Sequence, residues 1–305
     1  MADQAEPEVT FPSSSCCELG PDRQMSNASD SEHITSSGHK LSAAGHLNLH
    51  YLALKDEYDA TLRAAGIRSG WSVLDAGAGN GVFLPLMAEL LGPEGHIEAC
   101  DLARENLEAI EGLIASERLA CPIRARIGDI LALPYETGTF DAVWSANVVQ
   151  YLSDVELTQA IAEFRRVVKP GGLVAVKEVD ISVWQYQPQD PKLMWRLLDA
   201  LSDDVQMSGA MRGTRVSAWF RAEGLENVSA ITTLAERRQP LKSAEREYIR
   251  NNLEFLSGLA RTRDLTEADH RQWKAIGEEP ERLIGDPDFC YREMWVLSLG
   301  IVPRG

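Results

Sequence analysis

The stretch Val73-Leu74-Asp75-Ala76-Gly77-Ala78-Gly79-Asn80-Gly81 decides the fold of this chain. A short apolar run, Trp71–Ala76, ends among an acidic residue and alternating glycines, and the helix-forming segment Phe83–Leu91 follows. Glycines in such a loop let the backbone turn tightly and let a ligand approach without interference from Cβ atoms. A dinucleotide fingerprint requires G-x-G-x-x-G. Counted from Gly77 and Gly79, its third glycine falls on Val82; counted from Gly79 and Gly81, it falls on Leu84. Asp75, ahead of the glycines, would repel a pyrophosphate but can accept hydrogen bonds from an ammonium group. The loop reads as a site for a nucleoside that carries an amino acid.

Strands and helices alternate on its C-terminal side. His96–Cys100, Ile123–Ile127, Phe140–Ser145 and Leu173–Val179 read as strands, with a helix over Ala103–Ser116. Ser153-x-x-Glu156 is a capping box that opens a helix running to Val168, which Lys169-Pro170-Gly171-Gly172 ends. Such repetition predicts a parallel sheet with helices on both faces. Ligands of these sheets bind beyond the carboxyl ends of the strands, near the reversal of strand order. Chemistry is therefore expected just after residues 75, 100, 128, 145 and 179.

Each of the first four places carries a suitable group. Asp101 stands at the end of the second strand, twenty residues past Gly81. A carboxylate there can accept both hydroxyl protons of a ribose. In Gly128-Asp129-Ile130 an acidic acceptor and an apolar neighbour suit an adenine amino group and ring edge. Ser145-Ala146-Asn147-Val148 follows the fourth strand. The competing readings are a helix cap for Asp75, a surface charge for Asp101 and a turn residue for Asn147.

With these motifs the chain resembles the class I S-adenosylmethionine-dependent methyltransferases, in particular the small-molecule group similar to the ubiquinone/menaquinone-biosynthesis enzymes. The matching stretches are VLDAGAGNG (73–81), IEACDL (97–102), GDILALPYETGTFDAVWSANVVQYL (128–152) and RRVVKPGGLVAVKEVD (165–180). The resemblance implies S-adenosyl-L-methionine as cofactor. Asp75 and Gly77, Ala78, Gly79 and Gly81 would surround its methionine part, Asp101 and Leu102 its ribose, Asp129 and Ile130 its adenine, and Asn147 the sulfonium. It also implies a Rossmann-like α/β fold with a seven-stranded, mostly parallel sheet whose last strand is antiparallel, a place that Met294–Val302 would fill. Many relatives carry two histidines where this chain has Gln150-Tyr151, so a histidine base is absent there.

The remaining sequence bounds the partners. The net charge of −16 repels phosphate backbones and anionic lipid, and the basic pairs Arg165-Arg166 and Arg237-Arg238 are isolated, so no nucleic acid is expected. No apolar stretch approaches the ~20 residues of a membrane span, and no secretion signal or transit peptide is visible. Five scattered cysteines form no metal-ligand spacing, so no metal is expected. They read as reduced thiols of a cytoplasmic protein.

Residues 1–40, rich in Ser, Pro, Asp and Glu, read as a disordered arm and 41–305 as one methyltransferase domain. A cover helix is expected over Leu41–Ala65, stopped by Gly66. Leu193–Leu201 and Arg215–Glu223 read as helices, and Asn227–Leu234 as a strand. Between it and the last strand, 235–290 reads as a helical insertion, either a cover or an oligomerisation element that would make the protein a homo-oligomer.

Tyr51 on the cover helix is a candidate to lie over the cofactor, and His46 and His50 to touch substrate. His33 and His39 lie in or beside the arm. Glu178 and Asp180, followed by Trp184 and Tyr186, either orient a substrate or cap the next turn. Trp195, Trp219, Trp273 and Trp295 are expected in cores. The methyl acceptor is expected to be a small apolar or aromatic molecule, with carbon, oxygen and nitrogen acceptors all open and no catalytic residue assigned. The alternative is a protein of this fold that binds the cofactor without methylating.

Overall fold

The computed structural model describes residues 44–305. The arm expected over 1–40 lies outside them, as do His33 and His39.

Two helices, α1 (Ala44–Ala53) and α2 (Lys55–Ala64), stand where one was expected. The break falls at Leu54, whose φ of −126° and ψ of 23° leave helical space while its side chain is fully buried. The apolar spacing is helical on both sides of Leu54, so periodicity does not reveal a turn made by one buried residue.

The alternating elements follow: β1 (Ser72–Ala76), α3 (Leu84–Leu91), β2 (His96–Asp101), α4 (Arg104–Ser116), β3 (Ile123–Ile127), β4 (Phe140–Ala146), α5 (Asp154–Val167) and β5 (Val168–Val179). Ser153 Oγ accepts the Glu156 N–H at 3.3 Å and the Glu156 carboxylate accepts the Ser153 N–H at 2.7 Å, which fixes the start of α5. β5 begins earlier than expected because Val168 already pairs with Phe140. The Lys-Pro-Gly-Gly segment bulges out before pairing resumes at Leu173.

The chain continues through β6 (Gln185–Gln187), α6 (Pro191–Leu201), α7 (Val205–Ala210), α8 (Val216–Ala222), β7 (Glu226–Arg238), α9 (Ser243–Ala260), α10 (Glu267–Glu278), α11 (Pro280–Ile284) and β8 (Cys290–Ile301). The parallel strands lie in the order β3-β2-β1-β4-β5, so the strand order reverses between β1 and β4. β8 runs antiparallel between β5 and β7. Among the described residues the sheet has eight strands rather than seven. The additional β6 pairs with Cys290–Arg292 of β8, beyond the stretch that β5 occupies.

β7 and β8 also run on past their expected ends, narrowing the helical insertion to 239–289. The extra rungs are charged: Glu236 lies opposite Arg292, whose Nε donates to it at 2.6 Å. Cross-strand pairing of this kind stabilises a strand whose composition reads as loop.

Neighbouring residues of each strand face opposite sides. Val73, Ile97, Trp144 and Trp295 pack with α1–α4 and α9 on one face, and Leu74, Val143 and Val174 pack with α5 and α8 on the other. Trp195 was expected in a core but is 54% exposed. It sits on the outer side of α6, whose buried face is formed by Leu193, Met194, Leu197 and Leu198. Among the described residues no helix is long and apolar enough to cross a membrane.

Candidate cofactor and acceptor site

A cavity of about 1060 Å³, counted out to its open mouth, lies at the carboxyl ends of β1, β2 and β4 where the strand order reverses. Tyr51, Asp75, Gly77, Ala78, Gly79, Asp101, Leu102, Asp129, Ile130 and Asn147 all line it. Gly81 does not. A Cβ on Gly81, at φ +82°, would come within 2.8 Å of Leu84 Cδ1 and 2.9 Å of Ile110 Cγ1, so this glycine lets α3 and α4 close on the loop. Gly77, at φ +76°, has the tighter need: its Cβ would lie 2.5 Å from Val148 Cγ2.

The loop is held by β2. The N–H groups of Gly77 and Ala78 both donate to Cys100 O, at 2.8 and 3.0 Å, and Gly79 N–H donates to Asp101 Oδ2 at 2.8 Å. Asp101 Oδ1 accepts from Ala103 N–H at 2.9 Å and from Asn106 Nδ2 at 3.0 Å. A carboxylate has about four acceptor positions. One is left, on Oδ2.

Asp75 is 2% exposed, and its Oδ2 has no hydrogen-bond partner. Burial, with the nearby Asp101 carboxylate, pushes its pKa up to about 8. A buried, unpartnered carboxylate oxygen on a cavity wall fits a ligand ammonium. Asp129 Oδ1 accepts Leu131 N–H at 2.9 Å, and this turn sets Ile130 in the wall.

The opposite wall comes from α1, α2 and the end of β4. Asn147 stands at φ +59°, a left-handed conformation that asparagine tolerates. Its N–H donates to Lys177 O at 2.9 Å, its Nδ2 donates to Tyr58 Oη at 3.3 Å, and its Oδ1 accepts from Lys177 Nζ. Tyr51 donates to Asp59 at 2.7 Å and meets Phe83 edge-on, with ring centroids 5.6 Å apart. His50 lines the cavity and stacks on Tyr248 of α9, centroids 4.6 Å apart and planes within 9°. The insertion therefore supports this wall.

Behind the wall lie three buried charged groups, of which the sequence singled out only Glu178. Lys177 is 1% exposed, and Glu178 and Glu293 are fully buried. Burial pulls the Lys177 ammonium below its ordinary range against the pull of Glu178 and Glu293, and burial likewise raises Glu178. Burial also raises Glu293, but His50 and the hydroxyls of Tyr291 and Tyr248 outweigh it and leave the carboxyl lowered. The available signal was a lysine and a glutamate inside the otherwise apolar strand Val174–Val179. Nothing in the sequence pairs them with Glu293.

Glu178 and Asp180 do not reach into the cavity. Glu178 accepts the N–H groups of Gln150 and Val179, at 3.0 and 2.8 Å, and so fixes the turn after β4. Asp180 caps the next turn through Ser182 and also accepts from Thr214. Trp184 and Tyr186 lie outside the lining of this cavity, whereas Tyr151 belongs to it. Arg166, Arg237 and Arg238 are ion-paired with Glu163, Glu57 and Glu236. Among the described residues no cluster of three or more His, Cys, Asp or Glu could hold a metal ion.

Residues 73–172, which contain the glycine loop, Asp101, Asp129 and Asn147, match the family model of a methyltransferase domain. The chain carries a class I S-adenosylmethionine-dependent methyltransferase domain. Relatives of this methyltransferase domain include the ubiquinone/menaquinone biosynthesis C-methyltransferase UbiE of Cupriavidus taiwanensis, 32% identical over 41% of this chain and 49% of its own. The demethylmenaquinone methyltransferase of Halalkalibacterium halodurans is 33% identical over 39% of this chain and 47% of its own. The matched part thus spans about half the length of each of these relatives. The fold is similar to that of Haemonchus contortus phosphoethanolamine N-methyltransferase 2, solved in complex with S-adenosyl-L-methionine. The TM-score is 0.53 at 16% identity, covering 86% of this chain and 57% of that one. The sheet of this chain is Rossmann-like, mostly parallel with antiparallel strands at one side.

Proposed function

We propose that the protein transfers a methyl group from S-adenosyl-L-methionine to a small apolar or aromatic molecule. The observation that carries this reading is the unpartnered Oδ2 of buried Asp75 beside the glycine loop, in a cavity that continues to an aromatic wall. Asp75 would receive the ammonium, Gly77 to Gly79 the methionine backbone, Asp101 a ribose hydroxyl, and Asp129 with Ile130 the adenine. S-adenosyl-L-methionine supplies a methyl group on a sulfonium, a leaving group that departs as a neutral thioether. The chain's part is to hold the acceptor in line with that methyl and to keep water away. His50, Tyr51, Tyr58, Phe83, Val148 and Tyr151 form a wall suited to an aromatic or apolar acceptor. We read the insertion as a cover of the site, because α9 brings Tyr248 onto His50. The buried free thiols of Cys100, Cys121 and Cys290 support a cytoplasmic location.

Calorimetry with S-adenosyl-L-methionine and S-adenosylhomocysteine tests the cofactor reading, and turnover of labelled donor against phenols, amines and isoprenoids tests the reaction. Binding of both compounds with product formation supports the proposal. Failure to bind either compound refutes it. Binding without any product leaves a cofactor-binding protein and refutes the enzymatic part.

A further inference from the structure

The strands at the two sides of the sheet differ in a way that bears on association. At one side lies β3, five residues long, which carries Arg124 and Arg126. At the other lies β7, thirteen residues long, which pairs with β8 along one edge. Among the described residues no strand pairs with its other edge. Free strand edges are ordinarily kept short, charged or interrupted by proline, because their unpaired N–H and C=O groups accept a further strand. β3 follows that rule and β7 does not. Between Glu226 and Glu236, β7 has no charged residue, proline or glycine. Its pairing with β8 is regular from Ser229 to Arg238. Ser229 to Thr232 are exposed in succession, and Ile231 and Leu234 are 41% and 56% exposed. Side chains alternate along a strand, so these two apolar groups lie on opposite faces.

The charges of β7 are confined to its ends. Glu226 opens the strand and has no ion pair among the described residues, while Arg237 and Arg238 close it. Arg237 is committed to Glu57 and Glu245, whereas Arg238, paired with Glu236, keeps 56% of its side chain exposed. A second β7 laid parallel would set Glu226 against Glu226 and Arg238 against Arg238. Laid antiparallel, it brings Glu226 of each strand to the Arg238 end of the other. Opposite charges across a strand pair stabilise it and like charges destabilise it. Midway between Glu226 and Arg238 is Thr232, inside the uncharged exposed stretch. The edge is thus complementary to a copy of itself about a two-fold axis near Thr232.

We propose that the protein forms a two-fold dimer in which the β7 edges of two copies pair antiparallel about Thr232 and join their sheets into one. Backbone hydrogen bonds between the strands hold the pair, and Ile231 and Leu234 of both copies are covered on its two faces. The Glu226–Arg238 contacts at both ends set orientation and register. The expected homo-oligomer is thereby assigned to β7 rather than to the insertion. No residue of β7 lines the cofactor cavity, so the inference does not depend on the methyltransferase reading.

Sedimentation of the full chain tests this. Wild type should sediment at twice the 33.7 kDa of one chain. Thr232→Lys sets like charges against each other at the two-fold axis and should raise the dissociation constant about a hundredfold or more. Glu226→Lys and Arg238→Glu should each weaken self-association. Their equimolar mixture should restore the dimer, since one variant supplies basic ends and the other acidic ends. Thermal melts establish that each variant is folded; should Thr232→Lys not fold, the two end variants, both at exposed side chains, carry the test. The inference is overturned if wild type sediments as a 33.7 kDa monomer, if folded Thr232→Lys dimerises as wild type does, or if the mixture associates no better than each variant alone. A monomer whose β7 amides resist hydrogen exchange would overturn it in favour of residues 1–43 of the same chain as the occupant of the edge.

Discussion

Oδ2 of Asp101 accepts the Gly79 N–H at 2.8 Å, so the tip of the glycine loop is fastened to the carboxyl end of β2. One carboxylate thereby shapes the loop and keeps an acceptor position toward the cavity. Asp101→Ala should weaken S-adenosylhomocysteine binding about ten- to a hundredfold, the range for losing a charge-assisted hydrogen bond. Calorimetry measures this directly. An unchanged Kd would show that Asp101 serves the loop alone.

Asp75 gives a pH dependence whose sign is fixed. Its ordinary value is 3.8, and in the folded protein burial raises it to about 8. Between those values the folded state holds a proton that the unfolded state has lost. The ligand-free protein should therefore lose stability as pH rises through this window. Asp75→Asn should remove that loss and be the more stable of the two at pH 8. Denaturant melts across the window decide it, and a wild-type stability that rises with pH in step with the variant would refute the assignment.

The same carboxyl should couple binding to proton release. An ammonium placed against Asp75 favours its charged form, so S-adenosylhomocysteine binding at pH 7 should expel a proton. Calorimetry in buffers of different ionisation enthalpy reads this number, and Asp75→Asn should bring it to near zero. No buffer dependence in wild type would mean that the ammonium lies elsewhere.

Gly77 cannot carry a side chain without moving Val148. At φ +76° and with 2.5 Å between a built Cβ and Val148 Cγ2, Gly77→Ala combines backbone strain with a clash. It should destabilise the protein by about 1–3 kcal/mol. Adding Val148→Ala should recover the clash portion and leave the strain. If Gly77→Ala melts like wild type, the loop adopts another path.

Arg237 ties three elements beside the cavity. It donates to Glu57 at 2.6 and 2.7 Å and to Ala53 O at 2.9 Å, and it lies 2.9 Å from Glu245 of α9. Its side chain is only 13% exposed. Arg237→Met should cost about 2–4 kcal/mol, because half-buried Glu57 and buried Glu245 lose their ion-pair partner. Amide exchange should quicken in α1 and α2 before the sheet. Uniform protection in the variant would contradict this role.

The alternation of strands and helices was legible because β1, β2, β4 and the Leu173–Val179 part of β5 are short runs buried on both faces and several helices carry a start or stop signal. Gly66, Gly92 and the Ser153 capping box mark those ends in the sequence. That most of the residues expected at the cofactor line one cavity follows from the same pattern, because they sit at strand ends, which it locates. β6 and the outer rungs of β7 and β8 were not. Their pairing lies between segments distant in sequence and is stabilised by contacts such as Glu236–Arg292.

What the sequence determined by itself is the sheet, the loop at Asp75–Gly81 and the acidic positions Asp101 and Asp129, all consequences of local periodicity and chain-adjacent turns. Only the tertiary structure decided that His50, Tyr58, Lys177 and Glu293, drawn from α1, α2, β5 and β8, share one buried network. The physical reason is burial. A lysine or glutamate in an apolar strand signals its cost in the sequence, but the partner that offsets that cost, 116 positions away for Lys177 and Glu293, is chosen by packing.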